Sequence, residues 1–121
     1  GNPPWIFPGS GGTQRFPRLT SEARAKEVIL SGEHFSAQEA AEWGVVNRLF
    51  PREELLPATI AIAAKIAAHP TEVVQTVKQV IHDGLQTDLM SGLKIEAENH
   101  DRISSSESRL KGIAAFNERK K

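Results

Sequence analysis

The chain has 121 residues, enough for one modest core. Its 15 basic and 15 acidic side chains cancel with the histidines neutral, so no general pull toward nucleic acid or an anionic membrane is expected. There is no cysteine, which excludes disulfides, thiolate metal sites and a cysteine nucleophile. No apolar run approaches the roughly 18 residues a bilayer span needs, and no basic-then-apolar leader opens the chain. The composition reads as a soluble, cytoplasmic domain or fragment.

Residues 1–19 hold four of the seven prolines and four of the nine glycines, so they read as loop. Thr20 or Ser21 is placed to cap a helix running to about Leu30, with Ala25, Val28 and Ile29 on its apolar side. Ser31-Gly32 stops it. Ser36-Ala37-Gln38-Glu39 has the form of a capping box, opening a short helix that ends at Gly44. Val45-Val46-Asn47-Arg48-Leu49-Phe50 is rich in strand formers and ends at Pro51, which predicts at most one short strand near 45–50. With no second strand run its partner is missing, a sign that the chain is part of something longer.

Longer helices follow. Pro57 suits the first turn of one reaching about Ala68, with Ile60, Ala63, Ala64 and Ala67 on one stripe. His69-Pro70 breaks it. Thr71 is expected to cap a helix through His82 that buries Val73, Val74, Val77, Val80 and Ile81, with Gly84 ending it. Thr87 is expected to cap the next, with Leu89, Met90, Leu93, Ile95 and Ala97 as apolar positions. Ser104-Ser105-Ser106 interrupts it, and a last amphipathic piece carries Leu110, Ile113, Ala114 and Phe116.

The stretch Pro8-Gly9-Ser10-Gly11-Gly12-Thr13-Gln14 invites comparison with phosphate loops. A Walker loop needs Lys then Ser or Thr after its last glycine, and here Thr13-Gln14 follows Gly12. A dinucleotide loop needs a third glycine where Gln14 stands. Composition alone favours a turn before a helix cap. Successive glycines at a helix start still let bare N–H groups face a ligand.

The segment Pro8-Gly9-Ser10-Gly11-Gly12-Thr13-Gln14-Arg15-Phe16-Pro17-Arg18-Leu19 resembles the PG-x-GGTQRLPRL segment of the enoyl-CoA hydratase/isomerase (crotonase) family. The likeness continues through Ala25–Gly32, through Ser36-Ala37-Gln38-Glu39-Ala40 with Trp43-Gly44-Val45-Val46-Asn47, and through Gly112-Ile113-Ala114-Ala115-Phe116-Asn117-Glu118-Arg119-Lys120. It covers the family's C-terminal half. It therefore implies a mainly α fold, the helical portion of a ββα spiral: residues 1–56 would end the spiral core, and 57–121 would form a helical trimerisation-type region.

The resemblance also implies chemistry. Two backbone N–H donors that stabilise a thioester enolate, and a first acid–base glutamate, would lie upstream. The second glutamate's position falls on Gly1, which can do no acid–base work. Related dienoyl isomerases carry an aspartate where Ser10 stands. The Gly9 backbone N–H would help hold the catalytic water. Phe116 and Arg119 match an aromatic and a cation that bind the nucleotide end of coenzyme A, while Lys111 and Ser108 replace acidic residues of the family nearby. The expected substrate is an acyl-CoA thioester, with no cofactor, no metal, no nucleic-acid or membrane partner, and a trimer-type homo-oligomer.

Other residues read blandly. His34, His69, His82 and His100 are scattered, Glu96 and Glu98 sit on a polar helical face, and Trp5 and Phe7 would be exposed in a free loop. Two rival readings stand beside the first. One is a non-catalytic helical self-association module; the other, a phosphate-loop nucleotide binder, is disfavoured by the spacing above. The isolated chain is expected to be inactive.

Overall fold

The structure is a computed structural model that describes residues 6–105 and 107–120; the side chains of residues 107–109 are not described. Gly1, Trp5, Ser106 and the side chain of Ser108, singled out above, lie outside it. Seven helices follow in order: α1 Gly12–Leu19, α2 Glu22–Ser31, α3 Ala37–Glu42, α4 Arg52–Ala67, α5 Thr71–Leu85, α6 Leu89–Ser104 and α7 Glu107–Arg119. Among the described residues there is no strand. The chain divides into two compact units, Gly1–Leu56 and Pro57–Lys121.

In the first unit local capping sets the helix starts. The Arg24 N–H donates to Ser21 Oγ at 3.1 Å, so Ser21 rather than Thr20 caps α2. Lys26 Nζ donates to Glu22 Oε1 at 2.6 Å, and that bond holds the Glu22 carboxyl below its ordinary range. The capping box is complete: Glu39 N–H donates to Ser36 Oγ at 3.0 Å, and Ser36 N–H donates to Glu39 Oε1 at 3.1 Å. An aromatic run then ties the three helices. Phe16 of α1 stacks on Phe35 at 5.6 Å, Phe35 meets Trp43 at 5.3 Å, and the Arg24 guanidinium lies 4.3 Å from the Trp43 ring centroid.

Two expectations in this unit are corrected, and the segment allowed at most one short strand forms none. Residues 12–19 form helix rather than loop. Glycine opens α1 without blocking it, and Pro17, six residues in, costs the bond it cannot donate to the Thr13 carbonyl. Residues 45–50, where at most one short strand was expected, form none. The Val45 and Val46 amides both donate to the Ala40 carbonyl, at 2.8 and 3.3 Å, which wraps them back over the end of α3. A strand-forming composition cannot hold a strand whose partner is absent. The helix expected from Pro57 starts at Arg52, where the Glu54 and Leu55 amides donate to the Pro51 carbonyl and Glu53-Glu54 complement the helix dipole. Pro57 therefore sits inside α4.

In the second unit α5 packs on α6, and α7 packs on both. Pro70, not Thr71, occupies the cap position of α5, and the helix runs past Gly84 to Leu85. Val73, Val74 and Val80 are half-buried, but Val77 and Ile81 stay exposed, contrary to expectation. Asp88, not Thr87, caps α6: Ser91 N–H donates to Asp88 Oδ1 at 2.9 Å and Ser91 Oγ donates to Oδ2 at 2.7 Å. Gly84 and Gly92 bring the two helices together. A Cβ on Gly92 would lie 3.4 Å from the Gly84 carbonyl oxygen and 3.5 Å from its Cα. Among the described residues only Ala25 and Ala40 are buried apolar side chains.

The Asp88 cap makes a pH prediction. Hydrogen bonds from the Ser91 backbone and hydroxyl hold its carboxyl below the ordinary value of 3.8. A depressed carboxyl stabilises the fold above its unfolded value and loses that contribution as pH falls through the lower folded value. The Ser91 amide resonance should therefore titrate with a midpoint below 3.8 in nuclear magnetic resonance. A midpoint at or above it would remove the cap assignment.

Candidate functional site

Residues nominated by sequence fall in both units, and each place is built differently. In the first unit the turn Pro8–Gly12 delivers the chain to α1. Gly11 takes φ 104° and ψ −1°, the left-handed region that glycine enters at little cost. Its carbonyl accepts from the amides of Gln14 at 3.1 Å and Arg15 at 2.8 Å. Arg15 Nη1 reaches back to donate to the Ser10 carbonyl at 3.0 Å, folding the guanidinium over Gly11. Arg18 Nη1 donates to the Gln14 carbonyl and to its Oε1, both at 3.0 Å. The Gly9 N–H donates to the Phe7 carbonyl at 2.8 Å. To serve a water it would have to share or give up that bond.

In the second unit Phe116 and Arg119 line one open cleft of about 720 Å³. Lys65 of α4, His69 of the following turn, Val73 of α5 and Ile113 of α7 line it too. Phe116 is 58% exposed. Lys120 Nζ lies 4.5 Å from the centroid of the same ring. No described lining residue is acidic, so the cleft carries one sign of charge. An aromatic ring beside a lysine and an arginine is chemistry that suits a planar ring bearing phosphate.

Sequence reasoning named Phe116 and Arg119 but missed Lys65. Lys65 lies 51 positions before Phe116, and nothing local marks it as more than a helix-end cation. A smaller apolar groove of about 430 Å³ runs between α5 and α6, lined by Val77, Val80, Ile81, Asn99 and Ile103 among others. No group of three His, Asp or Glu among the described residues is arranged to hold a metal. Among them, too, no helix is long and apolar enough to cross a membrane.

The chain belongs to the enoyl-CoA hydratase/isomerase family, whose model matches residues 5–121. It superposes on an enoyl-CoA hydratase from Bacillus anthracis with a TM-score of 0.89 and 43% identity, covering 94% of this chain and 44% of that one. It is 37% identical over 111 residues to a short-chain-enoyl-CoA hydratase of Clostridioides difficile, covering 92% of this chain and 72% of that protein. It is 35% identical over 111 residues to the 2,3-dehydroadipyl-CoA hydratase of Escherichia coli (strain K12), covering 92% of this chain and 44% of the relative. The chain thus spans less than half the length of the last. Its helices are those of a crotonase fold, and only that portion of the fold is matched.

The turn is testable by Gly11→Ala. A Cβ there would overlap the Arg15 guanidinium and hold an L-residue at positive φ, costing about 1–2 kcal/mol. Hydrogen exchange at the Gln14 and Arg15 amides should speed up in the variant. Unchanged exchange would show that Gly11 does not fix the start of α1.

Proposed function

We propose that this chain is the substrate-binding and assembly portion of an acyl-CoA hydratase or isomerase. The intact enzyme stabilises a thioester enolate while a proton or water adds to or leaves the acyl chain. Phe116 and Arg119, matched to the family's nucleotide-binding pair from sequence, meet in one positively charged cleft, and this observation carries the reading. The names of the relatives, hydratases of CoA thioesters, support the substrate class. Addition of water across a double bond transfers no net electrons, so the reading calls for no redox cofactor.

Within it, Phe116 packs on the adenine and Arg119 offers its planar fork to a phosphate. Gly9 and the turn that Arg15 braces form one wall of the acyl site, with the Gly9 amide turned to water once the Phe7 bond opens. The oxyanion donors and the acid–base glutamates come from the upstream half, so the chain alone is inactive.

Purified chain should not hydrate crotonyl-CoA, followed by loss of the enoyl-thioester absorbance. It should bind free coenzyme A with resonance shifts at Ile113, Phe116 and Arg119, and Arg119→Gln should weaken that binding. Turnover by pure material, or coenzyme A binding indifferent to Arg119, would sink the proposal.

A second reading is favoured by one observation. Leu85, Leu89 and Met90, around the α5–α6 turn, are each at least 75% exposed. Apolar surface of this kind suits self-association into a trimer-type oligomer, worth about 1.5–3 kcal/mol per buried side chain before ordering costs. Sedimentation should show a concentration-dependent oligomer. A monomer at every concentration would count against it.

A further inference from the structure

We infer that Lys65 is a second phosphate ligand of the cleft, acting with Arg119, so that the cleft selects phosphorylated over unphosphorylated nucleosides. This rests on the nucleotide reading of the cleft and adds a residue to it. Three observations carry the step. Lys65 comes from α4 and Arg119 from α7, so the two cations reach the cleft from different helices. Neither has an ion pair or side-chain hydrogen bond among the described residues, whereas Lys26, Arg15, Arg18 and Arg102 all do. No described carboxylate lines the cleft to balance them, so an anion entering it meets positive charge without a built-in counter-ion.

The plain alternative is that Lys65 only complements the C-terminal end of the α4 dipole, as its place in the last turn allows. That role would change helix stability but not ligand preference. The chemistry of the two cations is complementary. Lysine supplies a compact point charge with three donors, and arginine supplies a flat bidentate fork. Between them they suit a terminal phosphate group, and a base reaching the Phe116 ring would meet or displace Lys120, which lies over it.

The test titrates the chain with adenosine 3′,5′-bisphosphate and with adenosine, for wild type, Lys65→Gln, Lys65→Arg and Arg119→Gln. Circular dichroism checks that each variant keeps its helices. Wild type should bind the bisphosphate more tightly than adenosine. Lys65→Gln should weaken bisphosphate binding by about two- to fivefold, the scale of an exposed charge pair, and leave adenosine unchanged. Lys65→Arg should restore most of the loss, and added salt should shrink the difference. If Arg119→Gln weakens the bisphosphate and Lys65→Gln does not, the role of Lys65 is overturned while the nucleotide cleft stands. If wild type binds neither compound, the nucleotide reading itself fails. If it binds both equally, phosphate selection fails.

Discussion

The close approach of α5 and α6 sets the geometry of the second unit. Gly84 lies near the end of α5 and Gly92 near the start of α6, so the backbones meet beside the turn that joins them. At the other end of the pair, Arg102 of α6 donates to Glu72 Oε1 at 3.4 Å and to Thr76 Oγ1 at 3.0 Å, both on α5. The hairpin is thus pinned at both ends by different means: bare backbone at one, a guanidinium at the other. A Cβ at Gly92 would just meet the Gly84 backbone at van der Waals distance, so the two backbones stand about one methyl group apart. Because α7 packs on both helices, and Val73 of α5 lines both grooves, the placement of Phe116 and Arg119 depends on this pair.

What the pair does not supply is burial. Helices of 6 to 16 residues are marginal alone, and most of their stability in proteins comes from packing an apolar face. Here Ile60, Leu85, Leu89 and Met90 remain exposed, and two alanines make up the buried apolar set among the described residues. The local devices, two serine caps, an aspartate cap and an aromatic run, define where helices begin. They do not provide the surface that would hold those helices in place. In the Escherichia coli relative more than half the length lies outside the matched region, so in the longer proteins there is chain available to cover such faces.

This contrast explains what was legible. The capping box at Ser36 and Glu39 and the cap at Ser21 could be read because each depends on residues three apart. The start of α1 was misread because glycine and proline density was weighed ahead of the Gln14–Arg18 pairing one turn apart. The start of α4 was misread for a similar reason: Pro57 resembled a first-turn proline, while the acidic pair Glu53-Glu54 marked the true first turn. Residues 45–50 had strand composition, but strand formation is a property of a pair. Asp88 was passed over for its neighbour Thr87, although a carboxylate is as good a cap as a hydroxyl. The cleft was half legible. Phe116 and Arg119 came from a motif near one end of the sequence. Lys65, at the end of α4, lines the same cleft, which no local pattern reports.

The two places also differ from a complete catalytic centre in one chemical respect. Hydration needs a group to take a proton from water and a group to give one to carbon. Neither the turn Pro8–Gly12 nor the described lining of the cleft brings a carboxylate. His69 is the one imidazole among the described lining residues of the cleft. These two places therefore bring no carboxylate that could move a proton. A proton-transfer step on an acyl chain has to draw its acid and base from elsewhere, and that division follows from the residue types themselves before any step of the reaction is assigned.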